Sequence, residues 1–156
     1  MVADYCIDTS SLIAAWQELY PIENFPPFWH KLDVLIQHGR IVSPIEVFRE
    51  IGKRSDELQK GLKPRNSMFR ELEQEIQMEA AQVLLKFPRL VGERKLRTSA
   101  DPFVIALASV EKLKLITDEK PTGKAQRPNI PDVCAAFGIT HMSVLDLIKA
   151  GKWVIG

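Results

Sequence analysis

The sequence predicts a single α/β domain over residues 1–156, a three-layer α/β/α sandwich with helices on both faces of a central, mainly parallel sheet. Three observations carry this expectation. Short apolar β-like runs alternate with helical patterns, as βαβ units do. Such alternation points to a parallel sheet covered on both faces. No repeat, low-complexity tract or composition shift marks a second unit, and 156 residues is near the usual size of one domain.

The first unit begins almost at the first residue. Tyr5-Cys6-Ile7 is a short apolar run. Asp8-Thr9-Ser10-Ser11 follows, rich in helix-capping side chains, and Leu12 to Trp16 continues as helix. Pro21, Pro26 and Pro27 break the next stretch. Pro27 suits the first turn of a helix carrying Phe28, Trp29, Leu32, Val34, Leu35 and Ile36, mainly at three- and four-residue intervals. Gly39 stops it. Arg40-Ile41-Val42 reads as a strand, and Ser43-Pro44 as the cap of a helix with Ile45, Val47, Phe48 and Ile51.

Gly61 and Pro64 read as a loop. From Asn66 or Ser67 to about Lys86, a stripe of Met68, Leu72, Ile76, Ala80, Val83 and Leu84 predicts one long helix, closed by Pro88. Arg89, Arg94, Lys95 and Arg97 mark an exposed basic connection. Ser99-Ala100-Asp101-Pro102 is a helix start, with a capping residue and an early proline, and Phe103 to Val110 is the apolar helix it opens. Lys114 to Thr117 reads as a strand, 118–131 as a polar loop, and 132–137 as a short helix. A strand over 139–142 and a helix over 144–150, ended by Gly151, complete the chain.

Composition narrows the function classes. With 46% hydrophobic and 26% charged residues, the chain builds one real core and is not disordered. Net charge is +1, so any nucleic-acid binding must use a local basic patch. No apolar stretch spans a bilayer and no signal peptide is evident, so a cytoplasmic location is expected. Cys6 and Cys134 lack CxxC spacing and read as reduced thiols; Cys134 suits core or surface equally. His30, His38 and His141 do not pair at zinc-ligand spacing. Ser10 and Ser11 lack a GxSxG context, and there is no GxGxxG or Walker sequence. Trp16, Trp29 and Trp153 read as core or edge residues.

The carboxylates remain. Open parallel sheets place their crevice at the C-terminal ends of the strands. Asp8 follows the first strand and Asp118-Glu119 the strand at 114–117, while Asp101 opens an apolar helix. Glu46 and Glu50 lie in the first turns of the helix after the second strand. Taken alone, each is more often a cap or a solvated side chain. Together they form a set that repels itself unless a divalent cation joins it. Hard oxygen ligands suit Mg²⁺ or Mn²⁺, and those ions suit phosphate chemistry.

These residues resemble a known pattern. Tyr5-Cys6-Ile7-Asp8-Thr9-Ser10 is similar to the opening strand and first acid of PIN-domain nucleases, written D-T-N or D-T-S. Ser43 with Glu50-Ile51 resembles their second acid, and Ala100-Asp101-Pro102 with Ile105-Ala106 the third. Leu115-Ile116-Thr117 followed by an acid resembles the fourth, written T-x-D or T-x-N. Pro26-Pro27-Phe28-Trp29 and Ile130-Pro131-Asp132-Val133-Cys134 resemble a PIN-like prokaryotic group, the DUF4411 type, related to toxin ribonucleases.

The resemblance implies a metal-dependent endoribonuclease, the toxin of a type II toxin–antitoxin pair. It implies a catalytic metal site of Asp8, Glu50, Asp101 and Glu119, taking Mg²⁺ or Mn²⁺. Glu46 is an alternative to Glu50, and Asp118 to Glu119, because the acid two residues after Thr117 is Glu where the family has Asp or Asn. Ser10 and Thr117 would orient carboxylates, and Lys120, Lys124 and Arg127 would hold the RNA backbone. An antitoxin protein and a homodimer are the protein partners it admits. Two other readings compete: a non-catalytic PIN-like protein- or RNA-binding module, and a phosphotransfer-type module, for which the late lysine and phosphoacceptor aspartate are not clear.

Overall fold

The computed structural model describes residues 2–91, 100–124 and 126–155. Its first unit is strand β1 (Tyr5–Ile7), helix α1 (Thr9–Ala14), a π-helical turn over 15–19, helix α2 (Pro26–Gln37) and strand β2 (Ile41–Pro44). Helices α3 (Ile45–Arg54) and α4 (Asp56–Leu62) lead to strand β3 (Phe69–Arg70). Helices α5 (Gln74–Lys86) and α6 (Asp101–Glu111) precede strand β4 (Lys114–Ile116). Helix α7 (Ile130–Phe137), strand β5 (His141–Met142) and helix α8 (Val144–Ala150) follow.

Among the described residues the strands form one sheet in the order β3-β2-β1-β4-β5, every pairing parallel. The expected α/β sandwich is therefore present. The order reverses at β1: the chain steps outward through β2 and β3, then returns to β4 on the other side. Right-handed crossovers put the helices of the two directions on opposite faces. α1 to α4 thus cover one face, while α5, α6 and α7 cover the other, with α6 lying across β1, β2 and β4. The residues that make the core are those of the apolar stripes: Leu12, Leu32, Val47, Ile51, Val83, Val104 and Leu107 from helices, with Cys6, Ile41 and Leu115 from strands.

Several local expectations are corrected. The Gly61–Pro64 stretch is not a loop: Gly61 belongs to α4, and residues 63–68 form a 3₁₀ helix. Ser55 caps α4 by accepting from the Leu58 N–H at 3.2 Å. A Cβ on Gly61 would run into the Trp16 ring, so the glycine is there for close packing. The long helix from Asn66 starts only at Gln74, because Phe69–Arg70 is a strand paired with Ser43–Pro44. Ser43 caps nothing; it sits in β2 and donates its hydroxyl to the Ile7 carbonyl at 2.8 Å, stitching β2 to β1. Arg94, Lys95, Arg97 and the Ser99 cap lie outside the described residues. Cys6 and Cys134 are both buried in the core. No helix among the described residues is long and apolar enough to cross a membrane.

Candidate active site

The reversal of strand order places a crevice between the carboxyl ends of β1 and β4. Asp8 follows β1 directly at that end of the sheet. Its residue is 1% exposed, and it caps α1. Asp8 Oδ1 accepts from the Ser11 N–H at 2.8 Å and Oδ2 from the Thr117 hydroxyl at 2.6 Å. The Ser10 hydroxyl lies 3.0 and 2.9 Å from the two oxygens. Both hydroxyls are thus positioned on Asp8, and Thr117 ties β4 to β1 at this point. Burial pushes the Asp8 carboxyl up from 3.8 to about 6. The hydrogen bonds from Thr117, Ser11 and Ser10 oppose the rise, and the charge of Glu119 adds to it.

Glu50 reaches the same region from α3. Its side chain is buried, and among the described residues neither oxygen has a hydrogen-bond partner. Burial raises its pKa. The Thr9 hydroxyl and the Ala100 N–H lie close enough to favour the charged form, yet neither forms a bond of proper geometry, since Thr9 Oγ1 is also unpartnered. Glu119 is electrostatically linked to both Asp8 and Glu50. Asp101 is buried in the first turn of α6, directly after Ala100. The topology thus brings Asp8, Glu50, Asp101 and Glu119 to one end of the sheet.

The flanking acids differ. Asp118 is exposed, and its backbone N–H donates to the Ser10 hydroxyl at 3.2 Å. Glu46 is half-buried with an unpartnered Oε1, one turn before Glu50. Glu119 is half-buried, and its Oε1 already accepts from the Ile130 N–H at 3.0 Å. Among the described residues no three His, Cys, Asp or Glu side chains stand together at metal-ligand spacing. The acids share a region without closing on one point.

Lys120, Lys124 and Arg127 are exposed on the loop between β4 and α7. Side chains hold its described residues through bonds to backbone groups. The Lys120 carbonyl accepts from Asn129 Nδ2 at 2.8 Å, and the Thr122 hydroxyl donates to the Arg127 carbonyl at 2.8 Å. Lys124 lines a separate hollow of about 420 Å³ with Phe87, Pro128 and His141. The cation that lines the acid crevice's own side hollow is instead Arg54, with Ser10 and Asp118. Sequence reasoning passed over it, although Arg54 follows Glu50 by four residues, the spacing that puts two side chains on one helix face. It also passed over the hydroxyl of Thr9, read only as part of a capping run. Both thiols are inert: burial pushes Cys134 up to about 12 and raises Cys6 well above the ordinary thiol range.

Comparison with known proteins agrees with this architecture. The chain is similar in fold to VapBC2 from Rickettsia felis, solved bound to a DNA fragment from their promoter, with a TM-score of 0.54 at 15% identity over 92% of this chain and 98% of that one. It is also similar to PAE2754 from Pyrobaculum aerophilum, with a TM-score of 0.53 at 21% identity over 96% and 97%. At such identities the likeness shows the fold alone. No curated protein matches the chain. The family described as a domain of unknown function, DUF4411, matches residues 5–155. With its all-parallel, doubly wound sheet and nearly its whole length matched, the chain belongs to the DUF4411 family and has a PIN-like fold.

Proposed function

We propose that the protein is a divalent-metal-dependent endoribonuclease that hydrolyses RNA phosphodiesters, acting as the toxin of a type II toxin–antitoxin pair. The observation that carries this reading is Glu50: a buried carboxylate with both oxygens unpartnered, beside a second buried carboxylate, Asp8. Buried acids without a cation are costly, and an all-oxygen donor set fits Mg²⁺ or Mn²⁺. Asp8, Glu50, Asp101 and Glu119 would hold the ion, with Asp118 and Glu46 as the flanking acids. When bound, such an ion supplies water activation and charge stabilisation at phosphorus.

The chain's own residues would do the rest. Thr117 and Ser10 hold the Asp8 carboxylate in one orientation. The Ser11 N–H fixes its other oxygen at the start of α1. Lys120, Lys124 and Arg127 would hold the RNA backbone beside the acids. An antitoxin protein and a second copy of the chain are the protein partners of this reading. On the first helical face Leu19 and Val34 are exposed apolar side chains, and on α5 Met78 and Leu85.

The test is cleavage of an RNA oligonucleotide with Mg²⁺, with Mn²⁺ and with chelator. Asp8→Ala and Asp101→Ala, checked for folding by circular dichroism, should each abolish metal-dependent cleavage. Cleavage that survives both changes overturns the assignment. A second reading, a non-catalytic PIN-like module that binds protein or RNA, is favoured by the absence of three acids at ligand spacing among the described residues. It expects no cleavage by the unaltered protein and partner binding that withstands loss of the acids.

A further inference from the structure

Beside the acids lies a hollow of about 170 Å³, lined by Ser10, Ile13 and Ala14 of α1, by Glu18, by Arg54 at the end of α3 and by Asp118 after β4. We propose that this hollow seats a phosphate of the RNA substrate and that Arg54 is the guanidinium that grips it; this rests on the nuclease reading and names its substrate contact. Ser10 makes the hollow continuous with the acids. The same hydroxyl that lies 2.9 Å from Asp8 Oδ2 receives the Asp118 N–H at 3.2 Å. A phosphate seated there is therefore one side chain away from Asp8.

Arg54 is suited to the task by position and by lack of other commitments. Arg40, Arg65 and Arg70 are spent on ion pairs with Asp4, Asp33 and Glu111. Among the described residues Arg54 joins none. It follows Glu50 by four residues, so it stands on the same side of α3, about 6 Å further along the axis. The charge of Arg54 is felt at Glu50, where it favours the ionised carboxylate. Glu18 and Asp118 on the other walls would repel a phosphate, so a seat for one needs a cation within the hollow. The hollow has room for a phosphate group with a few waters. A guanidinium fork matches two phosphate oxygens at once, which an ammonium does not.

A basic residue in the last turn of a helix also complements the helix dipole. That role would be served equally by lysine and would leave RNA affinity unmoved. The experiment separates the two. Steady-state cleavage of a single-stranded RNA oligonucleotide by the full chain with Mn²⁺ is followed at several salt concentrations. Arg54→Gln should raise KM about tenfold and reduce the salt slope of RNA affinity by about 1. Arg54→Lys should recover the salt slope and leave KM raised severalfold. Unaltered protein that cleaves, together with Arg54 variants of unchanged KM and salt slope, overturns the Arg54 assignment alone. Unaltered protein that neither binds nor cleaves RNA overturns the nuclease reading and this proposal together.

Discussion

Asp8 is where the chemistry of the site and the stability of the fold pull in opposite directions. A carboxyl raised to about 6 binds its proton more tightly in the folded chain than in the unfolded one, where the value is near 3.8. Its ionisation therefore weakens the fold progressively as the pH rises from about 4 to about 6, and stability returns as the pH falls back through that window. The effect is on the order of 2–3 kcal/mol. Glu50, raised by the same cause, acts with the same sign. In chelator, unfolding measured by urea should give a larger free energy at pH 5 than at pH 7.5. Asp8→Asn should flatten that dependence and raise stability at pH 7.5. A steeper loss on substitution would show that the charged form is favoured by the fold. Residue identity made Asp8 a candidate in the sequence, but not this conflict, because desolvation depends on what the fold packs around the side chain.

The element that most clearly serves the site is the loop from β4 to α7. Asp132 is its hub. Asp132 Oδ2 accepts the Asn129 N–H at 2.8 Å and Oδ1 the Gly123 N–H at 2.9 Å. The Thr122 N–H lies 3.1 and 3.0 Å from the two oxygens. Burial raises the Asp132 pKa, but these hydrogen bonds outweigh it, and the net shift is downward. Its stabilisation is present above the ordinary aspartate range and lost as the pH falls through the lowered value. The Ile130 N–H, at the start of the same helix, holds Glu119. Asp132→Ala should lower stability by about 1 kcal/mol, the cost of a lost cap, and release Glu119. Under the nuclease reading, cleavage should fall more than the melting temperature alone accounts for; full activity would separate the loop from the site. The capping box Asn129–Asp132 is present in the sequence as Asn-Ile-Pro-Asp, yet the sequence reading starts the helix at Asp132, two residues after its true first turn begins at Ile130. Its reach back to Thr122 and Gly123 was not legible, since those contacts cross a loop without periodicity.

At the scale of the whole molecule, the doubly wound sheet converts distant positions into neighbours. Thr117 reaches Asp8 across 109 positions of sequence because β4 lies beside β1. If the acids hold a metal, binding to the folded state alone must stabilise the protein. At 100 times the dissociation constant the gain is about 2.7 kcal/mol, a rise in melting temperature of roughly 5–10 °C. Thermal unfolding with Mn²⁺ should show this rise, and Glu50→Gln should remove most of it while leaving the metal-free melting temperature unchanged or higher. A shift of equal size in the variant would take Glu50 out of the ligand set.

Local pattern was enough for the α/β class, for β1, β4 and the helices at α2, α6 and α8, and for the positions of the candidate acids relative to strand ends. Each depends on short-range periodicity, capping residues or prolines, which act within a few residues. It failed between Ser55 and Glu73, where the stripe of Met68 and Leu72 suggested helix. There Phe69–Arg70 pairs with β2, and a two-residue strand has no pattern of its own. Tertiary structure alone decided the strand order, the burial of Glu50 with both oxygens unpartnered, and the meeting of Ser10, Arg54 and Asp118 around one hollow. Those outcomes depend on which surfaces the crossovers bring together, and that is settled by packing of the whole core, not by neighbours along the chain.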